Sequence, residues 1–219
     1  MPPASAPAQD NAFAALRRFA RKRPAVERCE MCSQELTPEH DHLVEPANRR
    51  LICACQACAI LFESQSATKF RRVPRYVVFL RDFKLSDAQW DGLMIPIEMA
   101  FFFKSSPQGK IIALYPSPAG PTESLLSLDT WAELEELNPV LKEMQADVTA
   151  LLVNRVGHVR GAAPAEYFLV PIDECYKLVG LIRTYWRGLS GGTEVWREIG
   201  AFFAALKNKS GFQQGEPCA

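Results

Sequence analysis

The sequence predicts an α+β protein, with a small Cys-rich metal module near its N-terminus followed by a larger mixed α+β domain. Three observations carry this expectation. Five of seven cysteines crowd into about thirty residues, as Cys29-x-x-Cys32 and then Cys53-x-Cys55-x-x-Cys58. Beyond residue 70, β-rich apolar runs alternate with helical periodicity and capping signals. A chain of 219 residues that is 48% hydrophobic has enough apolar side chain to bury one sizeable core plus an appendage.

The cysteine pattern comes first because it is the most specific. Two C-x-x-C pairs about twenty residues apart present four thiolates to one tetrahedral ion, each pair curling into a turn that aims both sulfurs one way. Cys29, Cys32, Cys55 and Cys58 are the primary candidate ligands, and such a set is closed and structural when it holds Zn2+. A single iron or a 4Fe-4S cluster fits the same four thiolates. Cys53 is the fifth candidate. In a continuous strand it would face the same way as Cys55, two residues on, and so replace a ligand, support one, or stay a free thiol. His40 and His42, two of three histidines, lie between the pairs. They offer two imidazoles to a mixed or second metal site, or else steady a polar turn with Glu39, Asp41 and Glu45 as partners.

Four segments follow along the chain. Residues 1–24 read as a disordered, basic segment with a short helix carrying Phe13, Leu16 and Phe19 and ended by Pro24. Residues 25–65 form the metal module, with Leu51-Ile52 as a short strand and Ala57–Phe62 as the start of a helix. A cysteine turn, a hairpin and a helix bearing the second pair make a treble-clef-like arrangement. Residues 70–209 form the α+β domain, and 210–219 a flexible tail containing Cys218.

Within the domain, Tyr76–Leu80 and Leu93–Phe103 read as strands, the second limited by Pro96. Ser86 and Gln89 form a capping box around a short helix at Trp90. Residues 105–109 make a turn into a hairpin partner over Lys110–Tyr115. Thr130 with Glu133 caps a helix running toward Gln145 and interrupted at Pro139. Val148–Val153 and Tyr167–Ile172 are two further strands. Asp173 caps a helix over Glu174–Arg187 that is stopped by Gly188 and buries Leu178, Val179 and Ile182. Glu194–Asn208 is the last helix. Cys175 reads as core, and His158 as solvated.

Charge excludes some functions. Lys+Arg and Asp+Glu are both 25, so nothing drives the chain toward nucleic acid or an anionic membrane. No apolar run reaches the ~20 residues needed to span a bilayer. With this many thiols and no secretory leader pattern, the expected compartment is the reducing cytoplasm.

Two resemblances add to this. Cys29-x-x-Cys32, then Asp41-His42-Leu43-Val44-Glu45-Pro46, then Cys55-x-x-Cys58 is similar to the HNH nuclease motif. There the two pairs hold structural zinc, and the Asp-His dipeptide supplies a metal ligand and the general base. The departure is at Ala59, Ile60 and Leu61, where that family places a metal-holding histidine. Across nearly the whole chain, the pattern resembles an uncharacterised bacterial family associated with NiFe-hydrogenase gene neighbourhoods. It is carried by Cys29–Cys32, His40–Val44, Arg49–Cys58, Ala113–Gly120, Leu151–Arg155 and Val170–Gly180. This resemblance implies an accessory or maturation role, with a hydrogenase subunit or maturation factor as protein partner.

Three functions are therefore carried forward. The leading one is a zinc-stabilised accessory protein without catalytic residues. The alternatives are a rubredoxin-like or iron-sulfur electron carrier, and an HNH-like nuclease using Asp41 and His42.

Overall fold

The structure is a computed structural model that describes residues 26–63, 69–124, 128–158 and 163–211. The basic N-terminal segment and Cys218 lie outside the described residues. Two antiparallel sheets organise the chain. The smaller has the order β2-β1-β3, built from β1 (Asp41–Glu45), β2 (Arg50–Ala54) and β3 (Arg71–Arg72). The turn between β1 and β2 places Arg49 at φ 58°, and Asn48 Oδ1 accepts from the Arg50 N–H. Helix α1 (Gln56–Glu63) follows β2 directly. Ahead of the hairpin, Cys29–Cys32 form a tight turn closed by a bridge between Arg28 and Glu35, with Ser33 at φ 64°.

The larger sheet has six strands in the order β4-β9-β8-β5-β6-β7, with antiparallel pairing throughout. Its strands are β4 (Val78–Phe79), β5 (Met99–Ser105), β6 (Lys110–Ser117), β7 (Gly120–Glu123), β8 (Thr149–Asn154) and β9 (Glu166–Pro171). Both faces are covered. On one, Phe101, Phe103, Leu152, Phe168 and Val170 pack against α4 (Ile172–Tyr185) and α5 (Gly192–Gly211) through Leu178, Ile182, Ile199 and Phe203. On the other, Ala100, Phe102, Leu151 and Val153 meet Trp90 of α2 (Asp87–Gly92), Trp131 and Leu134 of α3 (Leu128–Leu137), and Leu141 of a 3-10 turn (Pro139–Glu143). A strand buried on both sides has no polar face, so its sequence is a continuous apolar run.

Several boundaries differ from expectation. Leu93 caps α2 and Met94 takes φ 55°, so β5 starts only at Met99. Pro96, which cannot donate to a ladder, falls in the irregular stretch before it. Of the Tyr76–Leu80 run, Val78 and Phe79 form a short edge strand on β9, and the Leu80 N–H adds a bond to Tyr167 O at 2.9 Å. Helix α3 begins at Leu128, two residues ahead of the expected cap at Thr130, and ends before Pro139 as the sequence suggests. The Ser86/Gln89 capping box is present as read.

The cysteine-bearing sheet is not isolated from the large one. Strand β3, from beyond residue 70, hydrogen-bonds to β1. Val44 of β1 belongs to the main core, with Leu51 packed against it. Arg71 pairs with the buried Asp147 at 3.2 Å and Arg49 with Glu123 at 3.1 Å.

Candidate metal centre

The cysteine turn and the start of α1 bring Cys29, Cys32, Cys55 and Cys58 together, with all four sulfurs within 4.8 Å of one another. Cys32 and Cys55 Sγ are 3.7 Å apart. Tetrahedral coordination with Zn–S bonds of about 2.3 Å places sulfurs roughly 3.7–3.8 Å apart, so the set fits an ion of that class with little movement. The local backbone explains the convergence. Cys29 N–H donates to Gln34 O and Ser33 N–H to Cys29 O, which folds the first pair into a knuckle. Cys58 N–H points at Cys55 Sγ at 3.5 Å, in the first turn of α1.

Three of these thiols are shifted by their surroundings. Burial raises Cys29, but hydrogen bonds from the main chain of Cys55, Cys32 and Met31 outweigh it and lower the thiol to about 6. Cys58 is pushed well up by burial and by its thiol neighbours. Cys32 is also raised: the main-chain hydrogen bond from Gln34 pulls it down, but the bonds to the Cys29 and Cys55 sulfurs together with burial outweigh it. Cys29 thus ionises readily while Cys32 and Cys58 hold their protons, which a divalent cation would displace on binding.

Cys53 is not part of this group. Strand β2 ends at Ala54, so the alternation that would align Cys53 with Cys55 stops between them, and the two thiols diverge. Cys53 instead sits directly across from His42 in the β1/β2 register. With His40, the three residues form a second group whose potential ligand atoms also lie within 4.8 Å of one another. Burial raises the Cys53 thiol, and the charges of Glu27 and Glu30 add to this.

The histidine partners are not those expected from their immediate neighbours. His40 Nδ1 lies 2.9 Å from Thr37 O and 3.6 Å from a Glu27 carboxylate oxygen. Its Nε2 is buried and has no hydrogen-bond partner. His42 Nδ1 stands 3.0 Å from Asp173 Oδ2, the geometry of an N–H donating to a carboxylate. Asp173 was expected as a helix cap. Helix α4 begins two residues ahead of the expected Glu174, at Ile172, with Pro171 at the N-cap and no side-chain cap bond, leaving the carboxylate for His42. Burial opposes its ionisation, yet the His42 hydrogen bond and the Lys177 charge win and lower its pKa.

The remaining candidates fall elsewhere. Asp41 is buried, and its carboxylate is held by Arg75 at 3.0 Å and Arg72 at 3.3 Å. His158 lies 3.4 Å from Asp87, which also receives the buried Arg155 guanidinium. Cys175 is fully buried in the main core, as read. Sequence reasoning missed Asp173, Glu27 and Glu30 as neighbours of the ligands. Only the packing of α4 on the hairpin places Asp173 there, and nothing local to it signals the contact.

No helix among the described residues is long and apolar enough to cross a membrane. No curated protein and no solved structure matches the chain. A family model does match, over residues 28–210, which takes in both ligand groups and the whole six-stranded sheet. The chain therefore belongs to the family of unknown function DUF5947.

Proposed function

We propose that this protein is a zinc-stabilised accessory or interaction protein, in which a treble-clef-like module is held by Cys29, Cys32, Cys55 and Cys58. The observation that carries this reading is the closed convergence of those four sulfurs. Four thiolates leave a tetrahedral ion no open position, so such a metal organises the chain and does not act on a substrate. The work then falls to protein surfaces, and the resemblance to a family from NiFe-hydrogenase neighbourhoods supplies the partner class: a hydrogenase subunit or maturation factor, in the cytoplasm.

The nuclease reading fares worse on geometry, since Asp41 is engaged by two guanidinium groups. Ala59, where a metal-holding histidine would be needed, is fully buried.

Elemental analysis with a visible spectrum on anaerobically purified protein tests the reading. Zinc without colour supports it. Iron with charge-transfer bands replaces it with the electron-carrier alternative. Affinity purification of the tagged chain from its native cells tests the partner, and recovery with no hydrogenase component removes that claim.

A further inference from the structure

The geometry points to a second metal site, separate from the four-thiolate group, in which His40, His42 and Cys53 hold a zinc-class divalent cation and leave one position open for water or a small anion. It concerns a different set of side chains from the proposed structural site and does not depend on which ion that site holds.

The backbone itself assembles the three ligands. His42 and Cys53 are directly opposed on neighbouring antiparallel strands, where side chains on one face come within about 4.5–5.5 Å at Cβ. His40, two residues before His42, is placed to share that face, and the two rings stand 4.7 Å apart between centroids. Ligand atoms within 4.8 Å need to close by only roughly 1–1.5 Å to meet the spacing set by Zn–N and Zn–S bonds of about 2.0 and 2.3 Å.

The support around the ligands is what a metal-binding imidazole requires. Such a histidine donates its other ring N–H to a carboxylate or a carbonyl, which fixes the tautomer and turns the free nitrogen toward the ion. Both arrangements occur here: His42 Nδ1 on Asp173, and His40 Nδ1 on Thr37 O. Each leaves Nε2 for a ligand. The His40 side chain is only 7% exposed, yet its Nε2 has no partner. A buried nitrogen acceptor without a hydrogen bond carries a desolvation cost, which a cation would remove.

Three protein ligands differ in kind from four. Two imidazoles and a thiolate leave a fourth tetrahedral position, the arrangement of zinc sites that bind an exchangeable ligand. That position has room, because His40, His42 and Cys53 line a cavity of about 630 Å³. Its wall carries both signs of charge, Glu27 and Glu39 against Lys177 and Lys209, which suits a small polar ligand better than an apolar one.

The test is zinc stoichiometry of the full chain after dialysis, repeated on variants, with circular dichroism to confirm folding. Wild-type protein should bind two zinc ions. His42→Ala and Cys53→Ser should each bind one, and Asp173→Asn should bind both, with the weaker ion roughly 10–100-fold looser. Should His42→Ala lose both ions, Asp173→Asn decides, since unchanged affinity for both ions overturns the site. One metal ion in total in the wild type, counting zinc and iron together, or two ions retained in both His42→Ala and Cys53→Ser, also overturns it. With cobalt replacing zinc, added azide should shift the visible bands of the wild type but not of Cys53→Ser. An unshifted wild-type spectrum refutes the open position. Cys32→Ser removes a structural ligand and loosens the segments that carry His40 and Cys53 with it, so the two readings are separated by His42→Ala and Cys53→Ser, which leave all four structural thiolates in place.

Discussion

Replacing Cys32 with serine separates packing from metal binding. Cys32 is exposed, so losing its sulfur should change packing energy by no more than about 0.5 kcal/mol. The small cluster around it buries Leu43 and Ile52 as its large aliphatic side chains, supplemented by Ala54, Ala59 and the cysteines themselves. At roughly 2–3 kcal/mol each, those two supply on the order of 5 kcal/mol. A structural zinc ion contributes about 10–16 kcal/mol. On the proposed reading a bound metal would therefore dominate the module, and Cys32→Ser should release it and raise hydrogen exchange over residues 28–40 and 50–63. The six-stranded sheet and α4, buried on their own core, should stay protected. Val44 lies in that larger core and β3 bonds to β1, so protection should persist longest at the end of β1. Exchange mass spectrometry with zinc analysis measures both. Unchanged protection with the ion retained refutes Cys32 as a ligand, and loss of protection across the whole chain refutes the division of stabilising energy.

Other perturbations follow from the same reasoning. Arg155 is buried while its partners Asp87 and Glu98 are more exposed, so Arg155→Met should change stability by no more than about 1 kcal/mol. Asp87→Asn with Glu98→Gln should destabilise more, by leaving the buried guanidinium without a counter-charge; urea unfolding compares them, and equal losses refute the asymmetry. Phe102→Ala, in a side chain packed 5.4 Å from the Trp131 ring, should cost about 3–5 kcal/mol in the same assay. Gly191→Ala should destabilise, since φ is 86° and a Cβ would stand 2.9 Å from Val195 Cγ1. Gly200→Ala in α5 meets nothing within 4 Å and should stabilise by about 0.5–1 kcal/mol in thermal melts. Lys69 and Asn48 lower the Glu45 carboxyl. Its stabilisation is thus complete above the ordinary carboxylate pKa of about 4.3 and lost as pH falls through the lower folded value. Melting temperatures of wild type and Glu45→Gln should converge over that acid range, and a constant gap would refute the assignment.

What the sequence made legible was the local chemistry. The C-x-x-C spacings name the four-thiolate set because each pair closes within its own turn. The Ser86/Gln89 box and the Gly109 turn are short-range devices, and both stand where they were read. Length and register were harder to read. The run around Pro96 has the composition of a strand, but its first half is a helix end and an irregular stretch, and hydrophobicity does not distinguish them once both faces are buried. Asp173 carries a helix-cap signature, yet a histidine far upstream takes its carboxylate. Cys53 diverges from Cys55 because β2 stops one residue before the second, a boundary finer than sequence periodicity resolves.

Glu30 gives this arrangement a consequence of its own. It sits inside the first cysteine turn, its N–H donates to Cys53 O at 2.9 Å, and its carboxylate accepts from Cys53 N–H at 3.0 Å. The turn that supplies Cys29 and Cys32 is thereby clasped to the strand that supplies Cys53. Anything that orders one end of that clasp lowers the entropic cost of ordering the other. Thermodynamic reciprocity then requires that if an occupant of the first cluster tightens binding at the second, binding at the second tightens the first by the same factor. Filling of the two clusters would then be cooperative, with a half-filled chain under-represented, and Glu30→Gln would weaken that cooperativity without removing a single ligand.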